Sequence, residues 1–216
     1  MLLTAAEADA VNAEVARAEA ATGVEIVAVV ALRASHYPQL PWKAFALGVA
    51  LAALALVVWG ALTPDWGGGP TALRTAVTML AAGAALALLT VVSTPVARLF
   101  LRRPRSAFEA RRCAELMFHR HRVDATRERT GVLLLACLFE RRLEVIADAG
   151  VAGRVGAQEW RATLDRVPRP ASPRDAAPAL IAGVRAIATL LAAKGFRGGG
   201  SDRNELPDRP REETGP

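Results

Sequence analysis

ERTGVLLLACLFERRLEVIADAGV, residues 128–151, holds two apolar runs, VLLLACLF and LEVIADAG, joined at Glu140-Arg141-Arg142. Runs of this length read as strands, and the charged link between them is short enough for a β-hairpin. Two strands alone are marginal in water, so the rest of a sheet must lie elsewhere. The same Thr-Gly-Val opening occurs once more. Thr22-Gly23 punctuates the chain and VEIVAVVAL follows, β-branched and almost wholly apolar. Two strands entered alike, with a long connection between them, suggest a parallel pair within one sheet.

The connection contains two stretches without Asp, Glu, Lys or Arg, Ala44 to Leu62 and Thr75 to Ala97. As helices at about 1.5 Å per residue they reach roughly 28 Å and 34 Å, enough to cross a hydrocarbon core of about 30 Å. Two such helices in succession are hard to house in the core of a 216-residue chain, and they are read as membrane spans. Pro64, three glycines and Pro70 break the helix between them, which predicts an antiparallel hairpin. Ala44, Gly48 and Ala52 on the first span, and Gly83 within Ala81 to Ala85 on the second, permit close approach of the two backbones.

Orientation follows from the flanks. Arg33 and Lys43 precede the first span and Arg98, Arg102, Arg103 and Arg105 follow the second, whereas the connecting turn carries Asp65 and no base before Arg74. Basic flanks stay in the cytoplasm, so both ends are expected there. Trp42, Trp59 and Trp66 fall near the expected water boundaries. The acidic start MLLTAAEADAVNAEVARAEA lacks the basic and apolar regions of a cleaved signal peptide.

Outside the hairpin the chain reads as helices around the strands. Thr4 to Ala21 has Leu3, Val11 and Val15 on one stripe, and Thr4 with Glu7 has the spacing of a capping box. Ser106 to Thr126, Ala157 to Arg166 and Ala176 to Lys194 are further expected helices, the last two separated by VPRPASPRD. The expected fold is α/β: a small mixed sheet flanked by helices, discontinuous, with residues 1–37 and 104–196 forming one cytoplasmic domain around a membrane hairpin at 41–98. Residues 197–216 are expected to be a disordered tail.

In this order the elements resemble the TPM domain family, and within it a group of bacterial membrane proteins whose domain is interrupted by two spans. The resemblance is carried by the opening helix running into TGVEIVAVV, the block RERTGVLLLACLFERRLEVIADAGV, the helices AQEWRATLD and APALIAGVRAIATLLA, and the closing GGGSDRNELPDRP. It implies a TPM-like α/β sandwich at the bacterial inner membrane, in a family some of whose members are associated with phosphatase activity, metal binding or assembly of membrane complexes. Where many members have an acidic Asp-Asn pair before the second strand, this chain has Arg129-Thr130, and Asp148-Ala149-Gly150 replaces their Gly-Tyr-Gly. Arg129 repels a cation, so neither metal nor cofactor is expected.

The residues themselves carry little catalytic spacing. A phosphate-binding cysteine loop needs an arginine six positions on, but His119 follows Cys113 and Leu143 follows Cys137 at that distance. Cys113 and Cys137 read as reduced core thiols. GGGS lacks the lysine of a phosphate loop. His119 and His121 are two apart, about 200° around a helix, and do not share a metal there. Asp148, at a strand end beside a glycine, is the acidic residue best placed to meet a ligand, with Asp124 and Glu128 as companions in an acidic edge; the simpler role is a cap for the following turn. The net charge of +6 and pI of about 10.5 come from dispersed arginines without interleaved aromatics, which does not describe a nucleic-acid surface. The expected function is a membrane-anchored, non-enzymatic module that meets a membrane-proximal protein through its sheet edge or a helix face; the alternative is a phosphatase-like hydrolase or a degenerate relative of one.

Overall fold

The computed structural model describes residues 2–62, 72–101, 103–126, 128–198 and 211–213. The chain divides into two compact units: Met1–His36 with Pro104–Pro216, and Tyr37–Arg103.

In the first unit α1 (Ala5–Thr22) starts at a complete capping box. The Glu7 amide donates to Thr4 Oγ1 at 3.3 Å, and the Thr4 amide donates to Glu7 Oε2 at 2.7 Å. Gly23, at φ 68°, ends the helix in the left-handed region that favours glycine, and turns the chain into β1 (Ile26–Ala31).

The second unit holds α2 (Gln39–Leu62), α3 (Ala72–Val92) and α4 (Thr94–Leu99). A Cβ on Gly48 would lie 2.7 Å from the Ala82 carbonyl oxygen and 2.8 Å from Gly83 Cα, so the helix backbones nearly touch. Gly48 lies 14 residues before the end of α2 and Gly83 lies 11 after the start of α3, which makes the pair antiparallel. The second apolar run is not one helix to Ala97 as expected. It breaks at Ser93 (φ −114°, ψ 104°), because Pro95 has no amide to donate and its ring excludes the carbonyl four residues back. Trp42 and Trp59 are largely exposed; Trp66 and the turn around it lie outside the described residues.

Back in the first unit, α5 (Arg103–Arg120) is shorter than the expected helix to Thr126. Arg122 takes a left-handed φ of 53° and Val123–Ala125 forms a single 3-10 turn instead. Next come β2 (Val132–Cys137), β3 (Arg142–Ala147), the short α6 (Ala149–Ala152), α7 (Ala157–Leu164), α8 (Ala176–Ala193) and β4 (Arg211–Glu213). The sheet order is β3-β2-β1-β4, with β1 parallel to β2 and β4 and β2 antiparallel to β3. In the register Ile26 pairs with Val132 and Ala31 with Cys137. The architecture is thus α/β with a small mixed sheet. β4 corrects the expectation of a wholly disordered tail, and the Gly198 amide donates to the Ala21 carbonyl at 3.0 Å, so ordered chain continues past 196.

β1 and β2 are apolar throughout because both of their faces are covered. Ile26, Ala28, Val30, Val132, Leu134 and Ala136 join a core with α1, Trp160 of α7 and α8. Val27, Val29, Ala31, Leu133, Leu135 and Cys137 join a second core with Ala110, Cys113, Ala114, Met117 and Phe118 of α5. By length and composition three helical stretches are apolar enough to cross a membrane: Gln39–Leu62, Ala72–Val92 and Pro173–Ala193. In the third, Leu180, Val184, Ile187 and Leu191 are fully buried in the first core, so its apolar stripe is already occupied by the sheet. Glu14 of α1 accepts from Arg185 of α8 at 2.9 Å and from Arg17 at 2.6 Å, and the hydrogen bond from Arg185 chiefly holds its carboxyl below the ordinary range. This contact and the Ala34 amide on Glu140 Oε1 at 3.0 Å tie sequence from before the hairpin to sequence from after it.

Candidate functional site

The open end of the β2–β3 hairpin brings Arg129 and Asp148 together. The Asp148 amide donates to the Gly131 carbonyl at 2.8 Å, which sets the residues flanking the two strands opposite one another. Arg129, at φ 57°, turns its guanidinium onto the carboxylate: Nε to Oδ2 at 2.8 Å and Nη2 to Oδ1 at 3.1 Å. Asp148 Oδ1 also accepts the Ala149 amide at 2.7 Å and caps α6. Asp148 is only 5% exposed. The close fit continues at Gly150, where a Cβ would lie 2.7 Å from the carbonyl oxygens of both Glu128 and Arg129.

The three residues of the expected acidic edge have different surroundings. Asp148 is buried and ion-paired with Arg129, Asp124 lies 3.5 Å from His119 Nδ1, and Glu128 is exposed. The hydrogen bonds from Arg129 to Asp148 raise the arginine's proton affinity, with smaller help from the Asp124 charge. A bidentate guanidinium occupies both carboxylate oxygens and would repel a cation, so these residues do not fit a metal. Among the described residues no group of three His, Cys, Asp or Glu is placed to hold one. His119 is exposed while His121 is buried beyond the end of α5, and the two do not converge. Cys113 and Cys137 are buried and not joined in a disulfide, and burial pushes the Cys137 thiol well up, away from a nucleophilic thiolate.

A cleft of about 860 Å³ runs along the outer edge of β3, between α5 and α7. Its lining includes Phe108 and Arg111 of α5, Arg142 and Glu144 of β3, and Trp160 and Arg161 of α7. Because the Asp148 amide pairs with Gly131, the alternation of an antiparallel ladder turns the backbone groups of Ile146, Glu144 and Arg142 toward β2 and those of Ala147, Val145 and Leu143 outward. Arg111 Nη1 already donates to the outward carbonyl of Val145 at 3.0 Å. Three arginines outnumber the cleft's two carboxylates, Glu144 and Asp165. Burial raises the Glu144 carboxyl above its ordinary value despite Arg142 at 3.5 Å. The sequence pointed to a sheet edge but not to this cleft, whose walls are about 50 residues apart in the chain.

The basic flank is distributed over three helices. Lys43 is exposed on α2, Arg98 is half-buried in the last turn of α4, and Arg105 is exposed on α5, 3.8 Å from Glu109. Arg103 is the first residue of α5, and Arg102 lies outside the described residues.

No family model matches the chain, and no curated protein matches it. Among solved structures it is similar to the NMR structure of BA42 protein from the psychrophilic bacterium Bizionia argentinensis sp. nov., at 16% identity and a TM-score of 0.54 over 98% of this chain and 95% of that one. The likeness is one of fold.

Proposed function

We propose that the chain is a TPM-like module anchored by α2 and α3 in a bacterial inner membrane, with both termini in the cytoplasm, and that it acts by binding rather than turnover. Its ligand is an extended, acidic segment of a membrane-proximal protein, added as a strand to β3. The observation that carries this reading is the outward edge of β3 at the floor of a cleft rich in arginine. A strand laid there gains main-chain hydrogen bonds from Leu143 and Ala147, side-chain contact with Trp160, and charge complementarity from Arg111, Arg142 and Arg161. The occupied carboxylate of Asp148 supports the non-catalytic half of the reading, because both of its oxygens are engaged by Arg129 rather than open to a metal or a water. The resemblance quoted from the sequence supports the TPM-like part, and the arginine asymmetry around the spans supports the orientation.

The test uses the full chain in nanodiscs. A photo-crosslinking residue at Arg142 should capture an extended acidic peptide, and Ala147→Pro should abolish capture by deleting an outward amide without touching the ladder to β2. Phosphomonoesters with and without divalent metal should not turn over. Metal-dependent turnover lost in Asp148→Ala would replace the binding reading with a hydrolase.

A further inference from the structure

α5 carries a second surface, on the side away from the sheet, which shares only Phe108 with the cleft lining. Its buried side, formed by Ser106, Ala110, Cys113, Ala114, Met117 and Phe118, faces the second core. Arg105, Phe108, Arg112, Leu116 and His119 follow one another at steps of three and four and share the opposite stripe. All five are exposed, Phe108 at 64% and Leu116 at 55%. Arg112 has no carboxylate partner among the described residues, and Arg105 only a 3.8 Å contact with Glu109. Two large apolar side chains set among arginines on an outward helix face is the composition of a helix that lies in a lipid interface.

Chain geometry limits what this face can meet. α4 ends at Leu99 and α5 starts at Arg103. Four extended steps of about 3.5 Å and five helical steps of about 1.5 Å keep Phe108 within roughly 22 Å of Leu99, however the units are oriented. We infer that the Arg105–Phe108–Arg112–Leu116 face of α5 docks on anionic lipid headgroups, laying the domain against the bilayer that α2 and α3 enter. The inference rests on the reading of those helices as spans and goes beyond it, since an anchored domain need not touch lipid. Arginine supplies the affinity for phosphate, while Phe108 and Leu116 enter the acyl boundary.

The experiment places an environment-sensitive fluorophore on Phe108→Cys, and separately on Leu116→Cys, in the full chain. Nanodiscs contain acyl-chain quenchers in either phosphatidylcholine alone or a mixture with phosphatidylglycerol. Both probes should be quenched from the lipid in the anionic discs and much less in the neutral ones. Arg105→Glu with Arg112→Glu should lower the docked equilibrium by about fivefold or more per arginine. Retained shielding of Cys137 from maleimide confirms that the variants are folded. Quenching absent from both lipids, or equal in both and indifferent to the two charge reversals, overturns the inference; so does a probe shielded from aqueous quencher without lipid quenching, which means a protein covers the face. Release of the parent chain from membranes by alkaline carbonate would instead overturn the spans themselves, a separate result.

Discussion

Ile26 precedes the apolar hairpin, yet its side chain is 2% exposed in a core built mostly from residues after it, and it pairs with Val132 across the sheet. Ile26→Ala deletes buried methyl groups at a site paired with β2 and packed in the core beneath α1 and α8, where relaxation is limited. Such a change costs about 2–5 kcal/mol, against a total of about 5–15 kcal/mol for a typical domain. The native thiol of Cys137 reports the result from the far side of the hairpin, because it is fully buried and burial suppresses its thiolate. Labelling with a maleimide in nanodiscs, resolved by peptide mass from Cys113, proceeds through the unfolded domain, so its rate follows the unfolding equilibrium. The substitution should accelerate labelling of Cys137 by roughly 30-fold to several thousandfold at constant pH. An unchanged rate would show that 104–198 folds without the first strand, and would refute the shared core.

Three further outcomes follow from other contacts. Gly48→Val places methyl groups against the Ala82 carbonyl, which the backbone cannot vacate, and should weaken the α2–α3 pair by about 1–3 kcal/mol, read as an earlier midpoint of helix separation in mixed dodecyl sulfate micelles. Glu144 has its carboxyl raised above 4.5 by burial, so the fold favours its protonated form; the associated stability is present at low pH and lost as pH rises from 4.5 through the folded value. Glu144→Gln should therefore raise the Tm at pH 7 and leave it unchanged at pH 4, and an equal effect at both would refute the assignment. For orientation, a cysteine at Gly68 should react with an impermeant maleimide applied outside intact cells and one at Ser201 should not; the opposite pattern inverts the topology.

Local rules made much of this chain readable. Thr4 and Glu7 announce the start of α1, Gly23 its end, and the paired Thr-Gly-Val openings announce strands that do run parallel. The break at Ser93 was also written, in Pro95, but a count of charged residues does not register a missing amide. The Arg129–Asp148 clasp spans 19 residues and exists only because the hairpin register sets Asp148 opposite Gly131, so no spacing rule along the chain reveals it. Once the hairpin is assumed, its two open ends are the place to look for an ion pair. β4 carried no signal: Arg211-Glu212-Glu213 is a poor strand by composition and is held by backbone pairing, which is indifferent to side chains. The cleft beside β3 depends on how α5 and α7 lie across different faces of the sheet, a tertiary fact without a local signature.

The pairing of Ile26 with Val132 also sets a timetable for biosynthesis. At about 5–20 residues per second a ribosome needs roughly 5–20 s to make the chain between those positions. Throughout that interval β1, six apolar residues with two bare edges, has been made and has no partner strand, a standing invitation to mispairing. The helices made meanwhile lessen the wait's entropic consequence: α2 and α3 pack antiparallel, so the end of α3 comes back toward the start of α2 before β2 is synthesised. The loop to be closed is then shorter in effect than the sequence separation, which lowers the entropy that pairing β1 with β2 must overcome.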